Sequence, residues 1–189
     1  MSPEIFLPFI AELVKWNKSI NLIHDDTIKN IHSRHILDSL QLSSFVDYSK
    51  DIIIDIGSGA GLPGMILAID GASNVHLVEP TSKKNVFLNH IKNLYKLPVT
   101  IHECGWKDAK INNATVVTSR AFSSLNNLLE AMVFVSRETI DARGIFLKGE
   151  KIEEEITDAE NNWNFQYELT QNTIHENGFI IKVWNVCKK

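Results

Sequence analysis

The sequence predicts a doubly wound α/β fold: a seven-stranded, mostly parallel sheet of Rossmann-like winding with an antiparallel last strand, preceded by an N-terminal helical extension. Three observations carry this. Beyond about residue 50, short β-branched runs alternate with segments of helical period. The first of those runs ends in a glycine-rich turn. The last two runs have no helix between them, so they should pair antiparallel.

Residues 1–48 read as the extension and residues 49–189 as the Rossmann-like unit. Ile5, Phe6, Phe9, Ile10, Leu13 and Val14 recur at helical spacing over 4–14. A second helix is expected from about Thr27 to Phe45, with Ile28, Ile31, His35, Leu37, Leu40 and Leu42 inward and Asp25 or Asp26 as its cap. Asp51–Ile56 is an apolar run ending at glycine, a buried strand. Leu62–Ile69 follows as a helix, Asn74–Val78 as a strand, and Thr81 to about Tyr95 as a helix capped by Thr81 or Ser82. Val99–His102 and Ala114–Thr118 are the third and fourth strands. A helix from Ser123, its expected cap, to Arg137 leads to the strand Gly144–Lys148 and the charged helix Lys151–Asn161. Phe165–Leu169 and Phe179–Val186 are the final strands, joined through the turn-like His175-Glu-Asn-Gly178.

Apolar residues make up 44% of the chain and charged residues 22%, ordinary for a soluble domain. Apolar runs fall far short of the roughly 20 residues that span a bilayer, and Met1-Ser2-Pro3-Glu4 lacks the positive start of a secretory signal. Two distant cysteines, Cys104 and Cys187, give neither a disulfide framework nor metal-ligand spacing. A cytoplasmic monomer without membrane attachment is expected. The net charge of −4 argues against a generally basic nucleic-acid binder, but the acidity is concentrated: residues 150–176 hold eight acids and one lysine, while 1–149 balance at 15 of each sign. The acidic stretch reads as a solvated helix face.

In the turn Asp55-Ile-Gly57-Ser-Gly59-Ala-Gly61-Leu62-Pro63-Gly64, the glycines let the backbone bend sharply and approach a ligand where a Cβ would clash. The helix that follows offers free N–H groups. Glu79 closes the second strand, 20 residues after Gly59, where an acid can accept from both ribose hydroxyls. These features fit S-adenosyl-L-methionine and, through G-x-G-x-x-G, a nicotinamide dinucleotide alike. Asp55 favours the first, because it can brace the turn and, through water, reach a cationic amino-acid group. The antiparallel sheet ending favours it too, as in class I methyltransferases. An NAD(P)-dependent oxidoreductase stays open as an alternative, as does a non-catalytic RNA-binding protein of the same fold.

Four segments together are similar to the bacterial small-subunit (16S) ribosomal RNA guanine-N7 methyltransferases, also called glucose-inhibited division protein B. They are Trp16-Asn17-Lys18-Ser-Ile-Asn21-Leu22, Arg34-His35-Ile-Leu-Asp38-Ser39, the glycine turn, and Ser119-Arg120-Ala121-Phe122. Lys83-Lys84 and Lys148-Gly149 fit as well. The resemblance spans almost the whole chain and implies methyl transfer from S-adenosyl-L-methionine to guanine N7 in ribosomal RNA or a ribosomal particle. It implies cofactor contacts at Gly57, Leu62 and Arg120, the last placed after the fourth strand. An adenine-side contact falls on Lys107 and Asp108, although Trp106 and Lys107 depart from the family's Arg-Ala-Glu pattern. Trp106 is expected to pack on the sheet rather than on the adenine.

Guanine N7 carries a free lone pair, so the chemistry asks for positioning rather than a general base, and for no metal. Arg120, Arg34 and His35 are the candidate positioning residues. The candidate cofactor residues are Asp55, Gly57, Gly59, Gly61, Leu62, Glu79, Lys107, Asp108 and Arg120. The i, i+4 pairs Arg34–Asp38 and His35–Ser39 are equally readable as contacts that brace the extension. Lys15, Lys18, Lys29, Arg34, Lys83 and Lys84 are candidates for RNA phosphates.

Overall fold

A computed structural model describes residues 3–189; Met1 and Ser2, the first residues of the start read for a secretory signal, lie outside them. Seven strands form one sheet: β1 Ile53–Ile56, β2 Val75–Val78, β3 Val99–His102, β4 Val116–Arg120, β5 Arg143–Lys148, β6 Trp163–Gln171 and β7 Phe179–Lys188. Their order is β3-β2-β1-β4-β5-β7-β6. The first five run parallel, and β7 inserts antiparallel to both β5 and β6. All four residues of β1 are buried, as a strand covered on both faces requires.

Alternation along the strands sorts the core into two layers. Ile53, Val75, Leu77, Val116 and Ile145 join one apolar cluster with the extension, α3 (Gly64–Ile69) and α4 (Ser82–Tyr95). Ile54, Ile56, Val117 and Phe146 join the other with α5 (Leu125–Val135) and α6 (Ile152–Glu160). The extension is therefore part of the first layer: Phe9, Leu13, Ile36 and Leu42 are fully buried in it. Helix α1 (Leu7–Asn17) is tied to the end of α4 by Tyr95, whose hydroxyl donates to the Ile5 carbonyl (2.7 Å) and accepts from the Phe9 N–H (2.9 Å). Among the described residues, no helix is long and apolar enough to cross a membrane.

Several local expectations need correction. The expected helix from Thr27 to Phe45 is a chain of short pieces: 3₁₀ over Asp25–Asn30, a π turn over His32–Leu37, α2 over Asp38–Leu40 and 3₁₀ again over Gln41–Phe45. Polar side chains buried from this segment, Asp38 and Ser39 among them, set its path as much as its apolar period does. Its cap is His24, which accepts from the Asp26 N–H, rather than Asp25 or Asp26. Helix α5 starts at Leu125 after Ser124, and no cap side chain serves it; Glu155 of α6 accepts from the Leu125 N–H instead (2.6 Å). Thr81 holds the cap position of α4 without a side-chain bond. Strand β4 runs two residues further than expected, so Arg120 is its last residue rather than one following it. In the acidic stretch Glu153 and Glu154 are exposed, as a solvated face requires, but Glu155 is committed to α5 and to Lys148.

Candidate functional site

The carboxyl ends of β1, β2 and β4 open into a cleft of about 410 Å³, lined by residues that include Leu22, Gly57, Gly59, Leu62, Glu79, Thr81, Lys84, Arg120 and Phe122. Ligands bind at this end of such sheets. Gly59 holds φ +57°, and a Cβ there would meet nothing nearer than the Gly57 carbonyl at 3.8 Å, so its face is open to a ligand. Gly61 differs, because a Cβ on it would lie 2.6 Å from Met65, which makes it a packing position behind the cleft.

Glu79 is buried at the cleft wall, one carboxylate oxygen accepting from the Gly59 N–H and the other from the Thr81 N–H, both at 2.9 Å. Each oxygen keeps a lone pair for a further donor. Asp55 lies behind the turn, fully buried. It accepts from the Gly64 N–H (3.2 Å) and the Thr118 hydroxyl (2.9 Å), so it braces the turn from beneath and is absent from the cleft lining. Burial pushes its pKa up to about 6, against the pull of those hydrogen bonds and of Arg120.

Leu22 reaches the cleft through Asn17. The Asn17 amide oxygen accepts from the Leu22 and Ile23 N–H groups (2.8 and 2.9 Å), and its nitrogen donates to Asp25 (2.9 Å), folding the loop after α1 over the cleft. This is the local reason for the Trp16-Asn17…Leu22 segment.

Arg120 is the hub. Its Nη1 donates to the Arg34 carbonyl (2.9 Å) and the Asp38 carboxylate (3.2 Å), and its Nη2 donates to His35 Nδ1 (2.7 Å). The Arg120 side chain is only 16% exposed; burial lowers the pKa of its guanidinium, and the charges of Asp38 and Asp55 oppose that. Asp38 turns towards Arg120 and towards Asn172 Nδ2 (2.7 Å) at the end of β6, while Ser39 donates to the His35 carbonyl (2.7 Å). His35 is buried beneath Arg120, whereas Arg34 projects an exposed side chain.

Arg120 and Ala121 also line a second, larger cleft of about 820 Å³, walled by Arg34, Asp38, Lys148, Asn172 and the 174–178 turn. Asn172 builds that turn, its amide oxygen accepting from the Ile174 and His175 N–H groups. Residue spacing points to the first cleft and to Arg120, and gives Asn172, Phe122 and Leu22 no role. The turn that Asn172 builds is local, but its bond to Asp38, 134 residues away, leaves no local signal.

Lys107 and Asp108 are not among the lining residues of either cleft. Lys107 is exposed, pairing with Glu130 (3.3 Å) over the Trp106 ring. Trp106 meets Phe134 edge to face, 5.6 Å between centroids, so it packs as expected but on α5 rather than on the sheet.

Comparison with known proteins adds three kinds of likeness. The family model described as rRNA small subunit methyltransferase G (GidB) matches residues 3–178. Ribosomal RNA small subunit methyltransferase G of Rickettsia rickettsii (strain Sheila Smith) is 39% identical over 185 residues, covering 98% of this chain and 93% of its own. Among solved structures, M. jannaschii TYW2 in complex with AdoMet superposes with a TM-score of 0.60 at 14% identity, over 82% of this chain and 77% of its own. Magnesium protoporphyrin IX methyltransferase (ChlM) from Synechocystis PCC 6803 with bound SAM gives 0.60 at 13%, over 93% and 96%. At those identities the last two speak for the fold alone.

Proposed function

The chain belongs to the rRNA small subunit methyltransferase G family and is an S-adenosyl-L-methionine-dependent methyltransferase, and we propose that its acceptor is N7 of a guanine in small-subunit ribosomal RNA. The observation that carries this reading is the position of Arg120, the shared wall between a glycine-turn cleft and a larger one open to solvent. Donor and acceptor brought into the two clefts would meet beside it.

The smaller cleft suits the cofactor. Gly59 leaves an open face where a Cβ would intrude, and the Glu79 carboxylate has lone pairs to accept ribose hydroxyls. When bound, the cofactor supplies an electrophilic methyl carbon on a sulfonium. Gly57, Gly59 and Leu62 would hold it along the turn, with Asp55 and Gly61 keeping the turn's shape from behind. Arg120 keeps a free Nη2 hydrogen and its Nε–H beyond the bonds to the extension, so its fork can still donate to a carboxylate or to an acceptor on the base. His35 and Asp38 act through Arg120 by fixing its orientation. Arg34, exposed at the rim of the larger cleft, and Lys84 in the smaller one are suited to RNA phosphates. On the adenine side, Lys107 would serve through its backbone and Asp108 in place of the family's glutamate.

Guanine N7 attacks with its own lone pair, so alignment of N7, methyl and sulfur is the main demand. The work is expected of a cytoplasmic monomer on RNA or an assembling particle. The nicotinamide reading is disfavoured by β7, which breaks the all-parallel order of dinucleotide domains. Incubation with methyl-labelled S-adenosyl-L-methionine and unmethylated small-subunit RNA or particles tests the proposal. Label recovered as 7-methylguanosine after digestion is the expected result; no transfer to any such RNA or particle overturns it.

A further inference from the structure

Phe122 lines the smaller cleft, directly after Arg120 and Ala121, which line both clefts. Ala121 adopts φ +51°, a left-handed conformation that side-chain-bearing residues rarely hold. Phe122 is 42% exposed. A Cβ built on Gly57 would lie 2.2 Å from Phe122 Cδ2, so one side of the ring lies against the bare Cα of the first turn glycine. The other side is open to the cleft.

The loop carrying this ring is anchored at both ends. On one side Arg120 is fixed by three bonds to the extension. On the other, Lys148, only 8% exposed, donates to the Ser123 carbonyl (2.8 Å) and pairs with Glu155 (2.6 Å), the carboxylate that also caps α5. Such anchoring holds an exposed aromatic in place at low entropic cost. It does not otherwise account for a large apolar side chain facing solvent beside a charged guanidinium.

Taking the methyltransferase reading as its basis, we propose that Phe122 is the platform on which the methyl-accepting guanine stacks. A base presented to an enzyme outside its own helix loses its stacking partners, and an aromatic ring restores one face. Methyl transfer to N7 has a second consequence. The sulfonium loses its charge and the guanine ring gains one, so positive charge develops over the phenyl π face during the step. A π face favours a cation over a neutral ring. The stack therefore strengthens towards the transition state, and its removal should lower kcat as well as raise the KM for RNA.

The test compares F122L with F122Y and F122W in the full chain. F122L keeps an apolar side chain of similar bulk but has no π face. It should lose roughly 5- to 150-fold in kcat/KM for small-subunit RNA, the range of one base–aromatic stack, with part of the loss in kcat. F122Y and F122W should retain most activity, and because Phe122 borders the cofactor cleft, any rise in the S-adenosyl-L-methionine dissociation constant of F122L should be several-fold smaller than its loss in kcat/KM for RNA. Wild-type activity in F122L, or a matching loss of cofactor affinity, overturns the assignment, the latter making Phe122 a turn-packing residue. A second readout needs no turnover. Trp emission of F122W, measured against F122L to remove the four native tryptophans, should be quenched by an oligoribonucleotide containing 7-methylguanosine more than by its unmethylated counterpart. Absence of quenching overturns the stack. Absence of methyl transfer by the wild-type protein overturns the functional reading instead, while the fluorescence result still decides the role of Phe122.

Discussion

Arg120 Nη2 donates to His35 Nδ1 across 2.7 Å, which fixes the tautomer of a buried histidine. A guanidinium only donates, so Nδ1 must accept and the ring proton sits on Nε2. Nε2–H then donates to the Thr27 hydroxyl (2.8 Å), which in turn donates to the His24 carbonyl (2.6 Å). His35 is thus a neutral strut between the extension and the end of β4, set in the wall of the larger cleft beneath Arg120.

Acid should weaken this strut. Burial above all, then the positive charges of Arg120, Arg34 and His175, lower the His35 pKa from 6.5 to about 3, with Asp38 the carboxylate on the far side of Arg120. Between those values the unfolded chain binds a proton that the native protein does not. The stabilisation is complete above pH 6.5 and is lost as pH falls towards 3. Asp55 works in the opposite sense: raised to about 6, it takes up its proton first in the folded state, so its contribution to stability grows as pH falls from 6 to 4. Urea midpoints at pH 7, 6 and 5 separate the two. H35Q should lose less stability than wild type between pH 7 and 5, by on the order of 1–2 kcal/mol; parallel profiles would contradict the strut.

Replacing the fork of Arg120 should cost activity more than stability. Lysine supplies a point charge and cannot reach Arg34, Asp38 and His35 together. R120K is expected to lose about 10- to 150-fold in kcat/KM, the equivalent of one or two charge-assisted hydrogen bonds, with a melting shift of only a few degrees.

Removing Asp38 should do the reverse. D38A leaves the Arg120 guanidinium without its carboxylate and Asn172 Nδ2 without an acceptor, in a place where Asp38 itself is 5% exposed. Loss of one partner of a buried pair costs about 3–5 kcal/mol. A melting temperature lowered by roughly 10 °C, read by differential scanning calorimetry, is the expected outcome.

Glu79 should separate cofactor from RNA. In E79Q one oxygen becomes an amide that must face the N–H of Gly59 or Thr81, both donors. The dissociation constant for S-adenosyl-L-methionine, by calorimetry, should rise about tenfold or more, with RNA affinity unchanged.

What could be read from the chain was what is encoded locally. Strand, glycine turn and helix occupy 53–69 in one run, and Glu79 follows at a spacing set by one β–α–β unit. The antiparallel ending was legible because no helix separates the last two strands. The mixed helical segment was misread as one regular helix because the buried bonds of His35 and Asp38 to Arg120, some 80 residues on, compete with its apolar period. The acceptor that serves the start of α5 and the bond between Asn172 and Asp38 leave no local trace for the same reason: each joins groups from different elements. Lys107 and Asp108 came from a family pattern this chain only partly keeps, and they stand outside both clefts.

Methylation of guanine N7 in small-subunit ribosomal RNA is read out by mass mapping of that RNA from cells with and without the protein. One 7-methylguanosine present only when the protein is present, and reduced with R120K, is the predicted result. Identical methylation in both RNAs would contradict it.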